Sequence, residues 1–168
     1  RDEKFGKSYF SLNSDGSRAD LIMIKGGGYR HPSSEETLRE KVVDEYGNIR
    51  SDEQGYMQGG DVFNFVIREI PRDIKKTLEY AGDTADSFDY IVFHQANNFI
   101  NAYIAKKMKL DTDKIPSTIA KYGNTSSVSV PLTIVSELKD RLYGNKKLLL
   151  SAFGVGMTWA TGIVPFVD

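Results

Sequence analysis

At 168 residues, with 40% hydrophobic and 27% charged side chains, the chain has the composition of one soluble globular domain with a real core and no room for two ordinary ones. Its formal net charge of -1 supplies no electrostatic footprint for nucleic acid or an anionic membrane. There is no cysteine, which excludes a disulfide scaffold, a thiolate metal site and thiol catalysis by these residues alone.

Arg1-Asp2-Glu3-Lys4 lacks the apolar core of a signal peptide, so a cytoplasmic location is the expectation. The first third then reads as irregular. Asn13-Ser14-Asp15-Gly16 is a turn signal, and Ala19 to Ile24 predicts a short strand ending at Gly26-Gly27-Gly28. Tyr29 to Tyr56 is polar with few apolar anchors, as expected of a surface excursion between two packed units.

Val62, Phe63, Val66, Ile67, Ile70, Ile74 and Leu78 recur at helical spacing, predicting one long amphipathic helix that Pro71 should kink or split. Asp89 to His94 predicts a buried strand ending on a histidine. Phe99, Ile100, Tyr103, Ile104 and Met108 mark a second helix. Ile115 to Ala120 reads as another strand, and Gly123 to Ser127 as a turn into a third helix. No charge occurs from Thr125 to Ser136, so that helix is expected to be buried on most sides, its small Ser and Thr residues admitting neighbouring backbone.

The uncharged run from Leu148 to Val167 is long enough for a bilayer, but Gly154, Gly156, Gly162 and Pro165 break it. Two buried strands, Lys147 to Phe153 and Thr158 to Val167, joined by a glycine turn explain it better. Strands alternating with helices give an α/β layered fold.

Three features could carry chemistry, and each has a plainer alternative. His94 ends an apolar strand, where ligands collect in open α/β sheets, yet a lone histidine is often structural. Asn124 follows Gly123, as turn and cap residues do, but its amide nitrogen could instead donate into a site. Phe153-Gly154-Val155-Gly156 could simply turn one strand into the next, or could bring a backbone N–H to a developing oxyanion. Together they suggest stabilisation of a carbonyl oxyanion or enolate by neutral donors. A nucleophile elbow Gly-x-Ser-x-Gly is absent, and the only other histidine, His31, lies in the polar excursion, so no metal site is expected.

The runs His94-Gln95-Ala96-Asn97, Gly123-Asn124-Thr125-Ser126-Ser127 and Ala152 to Trp159 resemble the C-terminal half of β-ketoacyl-acyl-carrier-protein synthase III. Met57-Gln58-Gly59-Gly60-Asp61-Val62-Phe63 extends the likeness upstream, and Ser14-Asp15-Gly16 with Ala19-Asp20-Leu21 look like the last strands of the family's N-terminal half. The resemblance implies a thiolase-like fold: the C-terminal half of a layered αβαβα condensing enzyme, a mixed sheet flanked by helices. Residues 1–56 would be the end of the N-terminal half and a connecting excursion, and 57–168 the C-terminal half.

By the same resemblance, His94 and Asn124 bind the thioester carbonyl of a malonyl-carrier substrate and stabilise the enolate formed on decarboxylation. The nucleophilic cysteine, acylated from acyl-CoA, is expected upstream of Arg1, so the chain alone is expected to be inactive. Phe153, Gly154, Val155 and Gly156 would form the oxyanion loop and acyl pocket, and Gly59, Phe63, Ala96, Asn97 and Ile100 would line the pantetheine tunnel. No tightly bound cofactor is implied; coenzyme A or carrier phosphopantetheine would be the substrate carrier. Expected partners are acyl-CoA, acyl carrier protein, the N-terminal half of the same fold and a second copy in a homodimer. Val155 stands where a third glycine is common, and Phe99 where many members have an arginine. Alternatives on the same fold are acyl transfer to oxygen or nitrogen, or a non-catalytic subunit-binding role. Without its companion half, the third helix would expose Val128, Val130, Ile134 and Val135.

Overall fold

The computed structural model describes residues 6–166, so the Arg1 to Lys4 run and Val167, the end of the last predicted strand, lie outside the described residues. In chain order the elements are β1 (Tyr9–Ser14), β2 (Ile22–Ile24), α1 (Glu35–Leu38), β3 (Lys41–Val42), β4 (Ile49–Arg50), β5 (Gly55–Met57), α2 (Gly59–Ala81), β6 (Tyr90–Phe93), α3 (Asn98–Met108), α4 (Ile119–Tyr122), α5 (Ser129–Thr133), β7 (Lys146–Gly154) and β8 (Thr158–Phe166).

By their contacts the residues fall into two units. One unit holds the residues up to Ser14, Phe63–Gly154 and the residues from Thr158; the other holds Asp15–Val62 and Val155–Met157. Strand pairing is the reason. β1 runs antiparallel to β8 from Tyr9↔Ile163 to Ser14↔Thr158, which ties the first strand to the last.

In the larger unit the strand order is β1-β8-β7-β6. β7 and β8 form an antiparallel hairpin, while β6 lies parallel to β7, so the sheet is mixed. The uncharged run is therefore two strands, and among the described residues no helix is long and apolar enough to cross a membrane. Ile91, Val92, Phe93, Leu148, Leu149 and Ile163 are buried, as continuous apolar strands covered by helices require.

Helix α2 buries Phe65, Val66, Ile70, Ile74 and Leu78. It also buries a carboxylate that periodicity does not flag. Asp73 accepts hydrogen bonds from the Ser11 hydroxyl, from Asn13 Nδ2 at 2.8 Å and from Thr161 Oγ1 at 2.6 Å, which offset its desolvation and pin the helix to β1 and β8.

Pro71 does not split α2, which runs unbroken from Gly59 to Ala81. A proline lacks the N–H that the carbonyl four residues earlier would accept. That carbonyl belongs to Ile67, and the Lys107 ammonium of α3 donates to it at 2.8 Å. A second helix thus supplies the donor that proline removed.

The strand expected over Ile115 to Ala120 is absent. Pro116 cannot donate to a ladder, and the N–H of Thr118 goes instead to Oε1 of buried Gln95 at 2.9 Å. The third helix forms in three pieces: a 3-10 turn at Ser126–Val128, then α5, then a wider π-type turn at Ile134–Leu138. Val130 and Ile134 pack against Val92, Leu138, Leu142 and Leu148. Val128 and Val135 remain 55% and 63% exposed, so burial on most sides is not met: the described residues cover one flank only.

The smaller unit consists of short elements. β2 pairs with β5 and β3 with β4, both antiparallel. The strand expected from Ala19 starts only at Ile22, because Gly16–Leu21 coils into 3-10 turns behind an Asp15 cap that accepts from the Ser17 N–H. α1 carries a reciprocal capping box between Ser34 and Thr37.

The Lys107–Pro71 relationship makes a double-mutant prediction. Lys107→Met should lower stability in chemical denaturation by roughly 0.5–1.5 kcal/mol. In a Pro71→Ala background, where residue 71 regains its N–H, most of that cost should vanish; an equal cost in both backgrounds would contradict the assignment.

Candidate active site

His94 follows directly on β6, and three elements hold it. Its N–H donates to the Ser151 carbonyl of β7 at 2.8 Å, extending the parallel pairing by one residue. Its own carbonyl accepts from Nδ2 of buried Asn101 on α3 at 3.2 Å. The ring Nδ1 lies 2.6 Å from Oγ of Ser129, the first residue of α5. The Phe153 ring of β7 stands edge-on to the imidazole, with centroids 5.2 Å apart and planes at 82°. These contacts fix the imidazole at one nitrogen and leave Nε2 without a protein partner among the described residues.

His94 is half-buried, and that loss of water disfavours the charged form, so its pKa is lowered from the ordinary histidine value. A neutral ring at pH 7 follows, able to donate from one nitrogen.

Asn124 is anchored in a complementary way. It is exposed, it follows Gly123 at φ +66°, and its Oδ1 accepts the Ser126 N–H at 2.9 Å. A backbone N–H can be met only by the amide oxygen, so the carboxamide orientation is fixed and Nδ2 is left with no partner among the described residues. Turn-making and donation are thus compatible: the oxygen makes the turn and the nitrogen stays available. Asn124 and Ser129 both lie at the N-terminal end of the third helix.

Of the loop residues, Phe153 and Gly154 end β7, and Gly154 pairs with Thr158. Val155 and Gly156 belong to the other unit; Val155 is 62% exposed and Gly156 has φ +139°. Gly59, also of that unit, opens α2 and is exposed. Phe63 stacks on Phe99, centroids 5.5 Å apart, and meets the Tyr103 ring edge-on at 6.0 Å. Ala96 is half-buried and Ile100 buried, while exposed Asn97 caps α3, its Oδ1 accepting from the Phe99 N–H at 2.7 Å.

Four residues not singled out from the sequence organise this region: Gln95, Asn101, Ser129 and Ser151, all buried. Gln95 donates to the Phe93 carbonyl, accepts from the Ser117 hydroxyl and the Thr118 N–H, and gives its own N–H to Ser129 Oγ at 3.2 Å. The signal for Ser129 was its place, with Thr133 one turn on, in the charge-free helix. Among the described residues no group of three or more His, Asp or Glu side chains could hold a metal ion.

Residues 78–166 match the protein family described as 3-oxoacyl-[acyl-carrier-protein (ACP)] synthase III C terminal. A curated relative, the beta-ketoacyl-[acyl-carrier-protein] synthase III of Streptococcus pneumoniae strain Hungary19A-6, is 34% identical over 158 residues, 92% of this chain and 45% of its own. A solved 3-oxoacyl-(acyl-carrier-protein) synthase III superposes with TM-score 0.88 at 36% identity, over 98% of this chain and 48% of that one. The 3-oxoacyl-(acyl-carrier protein) synthase of Burkholderia xenovorans LB400 gives 0.82 at 36%, over 95% and 44%. The chain thus spans about half the length of the curated relatives it matches.

The lowered His94 pKa has a definite sign. Between the folded and unfolded values the unfolded chain binds more protons, so this residue's contribution to stability falls as pH drops below the ordinary value of about 6.5. The ring should therefore titrate below about 6.5 by NMR, and His94→Gln should flatten the acid limb of the stability–pH curve. A ring titrating above that value would contradict the burial argument.

Proposed function

The chain belongs to the family of 3-oxoacyl-[acyl-carrier-protein] synthase III C-terminal portions, and from that premise we propose that its longer parent catalyses decarboxylative Claisen condensation of an acyl-CoA starter with a malonyl carrier. Its fold is thiolase-like, and the relatives it matches are named beta-ketoacyl- or 3-oxoacyl-[acyl-carrier-protein] synthase III. One observation carries the reading: His94 and Asn124 are each anchored through one polar atom, Nδ1 and Oδ1, and each keeps one side-chain nitrogen, Nε2 and Nδ2, unspent.

In this reading a cysteine upstream of Arg1 takes the acyl group from acyl-CoA and releases the CoA thiol. The malonyl thioester then loses CO2, and the electron pair of the broken C–C bond moves into an enolate. Nε2–H of His94 and Nδ2–H of Asn124 donate to the enolate oxygen. The enolate carbon attacks the acyl-cysteine carbonyl, the C–S bond breaks, and the thiolate leaves with a 3-oxoacyl carrier as product. A neutral imidazole suits this work, since donation from a neutral ring leaves the enolate without a competing proton transfer.

Coenzyme A or an acyl carrier protein is the carrier, its pantetheine arm passing Phe63, Ala96 and Asn97. The companion half covers the exposed Val128 and Val135, and the protein works as a cytoplasmic homodimer. The exposed valines support the first of these partners.

Turnover is to be measured in the full-length parent as CO2 release from the malonyl carrier. His94→Ala or Asn124→Ala should each lower it by about 10²–10³-fold, the scale for losing one oxyanion donor, while acylation of the cysteine persists. The 168-residue chain alone should give no condensation. Acyl transfer without CO2 release, or variants that decarboxylate at the parent rate, would refute the proposal.

A further inference from the structure

Ser129 is only 1% exposed, and its hydroxyl has one hydrogen and two lone pairs to place. The Gln95 N–H donates into one lone pair at 3.2 Å. The Thr133 hydroxyl donates to the Ser129 carbonyl at 2.8 Å, so its own hydrogen is spent, and Thr118 must donate in the 2.8 Å Thr118–Thr133 hydroxyl contact. Among the described residues Ser129 Oγ makes no hydrogen bond to either threonine hydroxyl, its contacts being His94 Nδ1 and the Gln95 N–H. Among the described residues the one acceptor that remains to Ser129 Oγ is His94 Nδ1, at 2.6 Å.

The two neutral tautomers of His94 are then unequal. With the ring proton on Nε2, the serine donates to Nδ1 and every group around Oγ is paired. With the proton on Nδ1, two donors point at Oγ and the serine's hydrogen is left in a buried place with no acceptor. A stranded buried donor lowers a state's population by roughly one to two orders of magnitude.

We propose that Ser129 is a positioning residue: its buried hydroxyl, oriented by the Gln95 N–H, locks His94 in the Nε2–H tautomer. The inference rests on the condensing reading, to which it adds the origin of the donor. A ring protonated at Nδ1 would turn a lone pair toward the enolate oxygen and repel it. The backbone of Gln95 is in turn fixed by its side chain, whose bonds to Phe93, Ser117 and Thr118 keep that N–H aimed at Oγ.

Two-bond 1H–15N correlation on the 15N-labelled chain at neutral pH reads the tautomer directly, with His31→Gln identifying the second histidine. The expected spectrum shows an Nε2–H ring for His94. Ser129→Ala should lower the ratio of Nε2–H to Nδ1–H by about tenfold, and Ser129→Thr, which keeps the hydroxyl, should restore it. If Ser129→Ala does not fold, Ser129→Cys, a weak donor of similar size, carries the same comparison. An Nδ1–H ring in the unmodified chain, or a ratio indifferent to residue 129, overturns the proposal. The readout does not depend on turnover, so an Nε2–H ring beside a parent that releases no CO2 would sink the condensing reading alone.

Discussion

The 2.6 Å contact between His94 Nδ1 and the buried hydroxyl of Ser129 is the constraint on which the site depends. An imidazole at a strand end has two nitrogens and a free ring axis; without a partner for one nitrogen, neither its orientation nor its proton is determined. Here β6 supplies the position, β7 and α3 hold the backbone, and α5 holds the ring. The same serine binds the N–H of the next residue, Gln95, so loop and helix are stitched together by one atom. Buried polar networks of this kind are costly when incomplete and rigid when satisfied. Apart from Asn101 Oδ1, the described residues leave no buried side-chain polar atom without a partner.

Parallel pairing of β6 with β7 is what makes the arrangement possible. It puts Phe93 opposite Ser151, so His94 emerges beside the strand that carries Phe153. Hairpin return through β8 then closes the sheet on β1, and Asp73 of α2 secures β1 and β8 from below through three donors. His94 follows directly on the end of β6, while Asn124 lies in the short turn between α4 and the third helix, where the bond from the Ser126 N–H to its Oδ1 holds it.

Much of this was legible in the sequence, and the failures have physical causes. Apolar periodicity located α2, α3 and the β7–β8 hairpin, because those elements bury one continuous face or both. It failed over Ile115 to Ala120, where the apolar residues look like a strand but Pro116 has no N–H and that of Thr118 goes to the Gln95 side chain. It overstated the effect of Pro71, since the compensating Lys107 comes from another helix and leaves no local trace. His94 and Asn124 stood out by their neighbours, His94-Gln95-Ala96-Asn97 and Gly123-Asn124. Ser129 did not: one serine in a Ser- and Thr-rich helix acquires meaning only when folding brings an imidazole to it. The extent of the third helix's burial was misjudged for a related reason. Absence of charge does not by itself bury a face: the described residues cover one flank, and Val128 and Val135 stay exposed.

Convergence of two neutral donors on one oxygen is the central claim, and a crystal structure of the full-length parent with a stable malonyl-pantetheine analogue tests it most directly. The thioester carbonyl oxygen should sit about 2.7–3.1 Å from both His94 Nε2 and Asn124 Nδ2. A carbonyl oxygen reached by only one of these nitrogens, or by neither, would contradict the account.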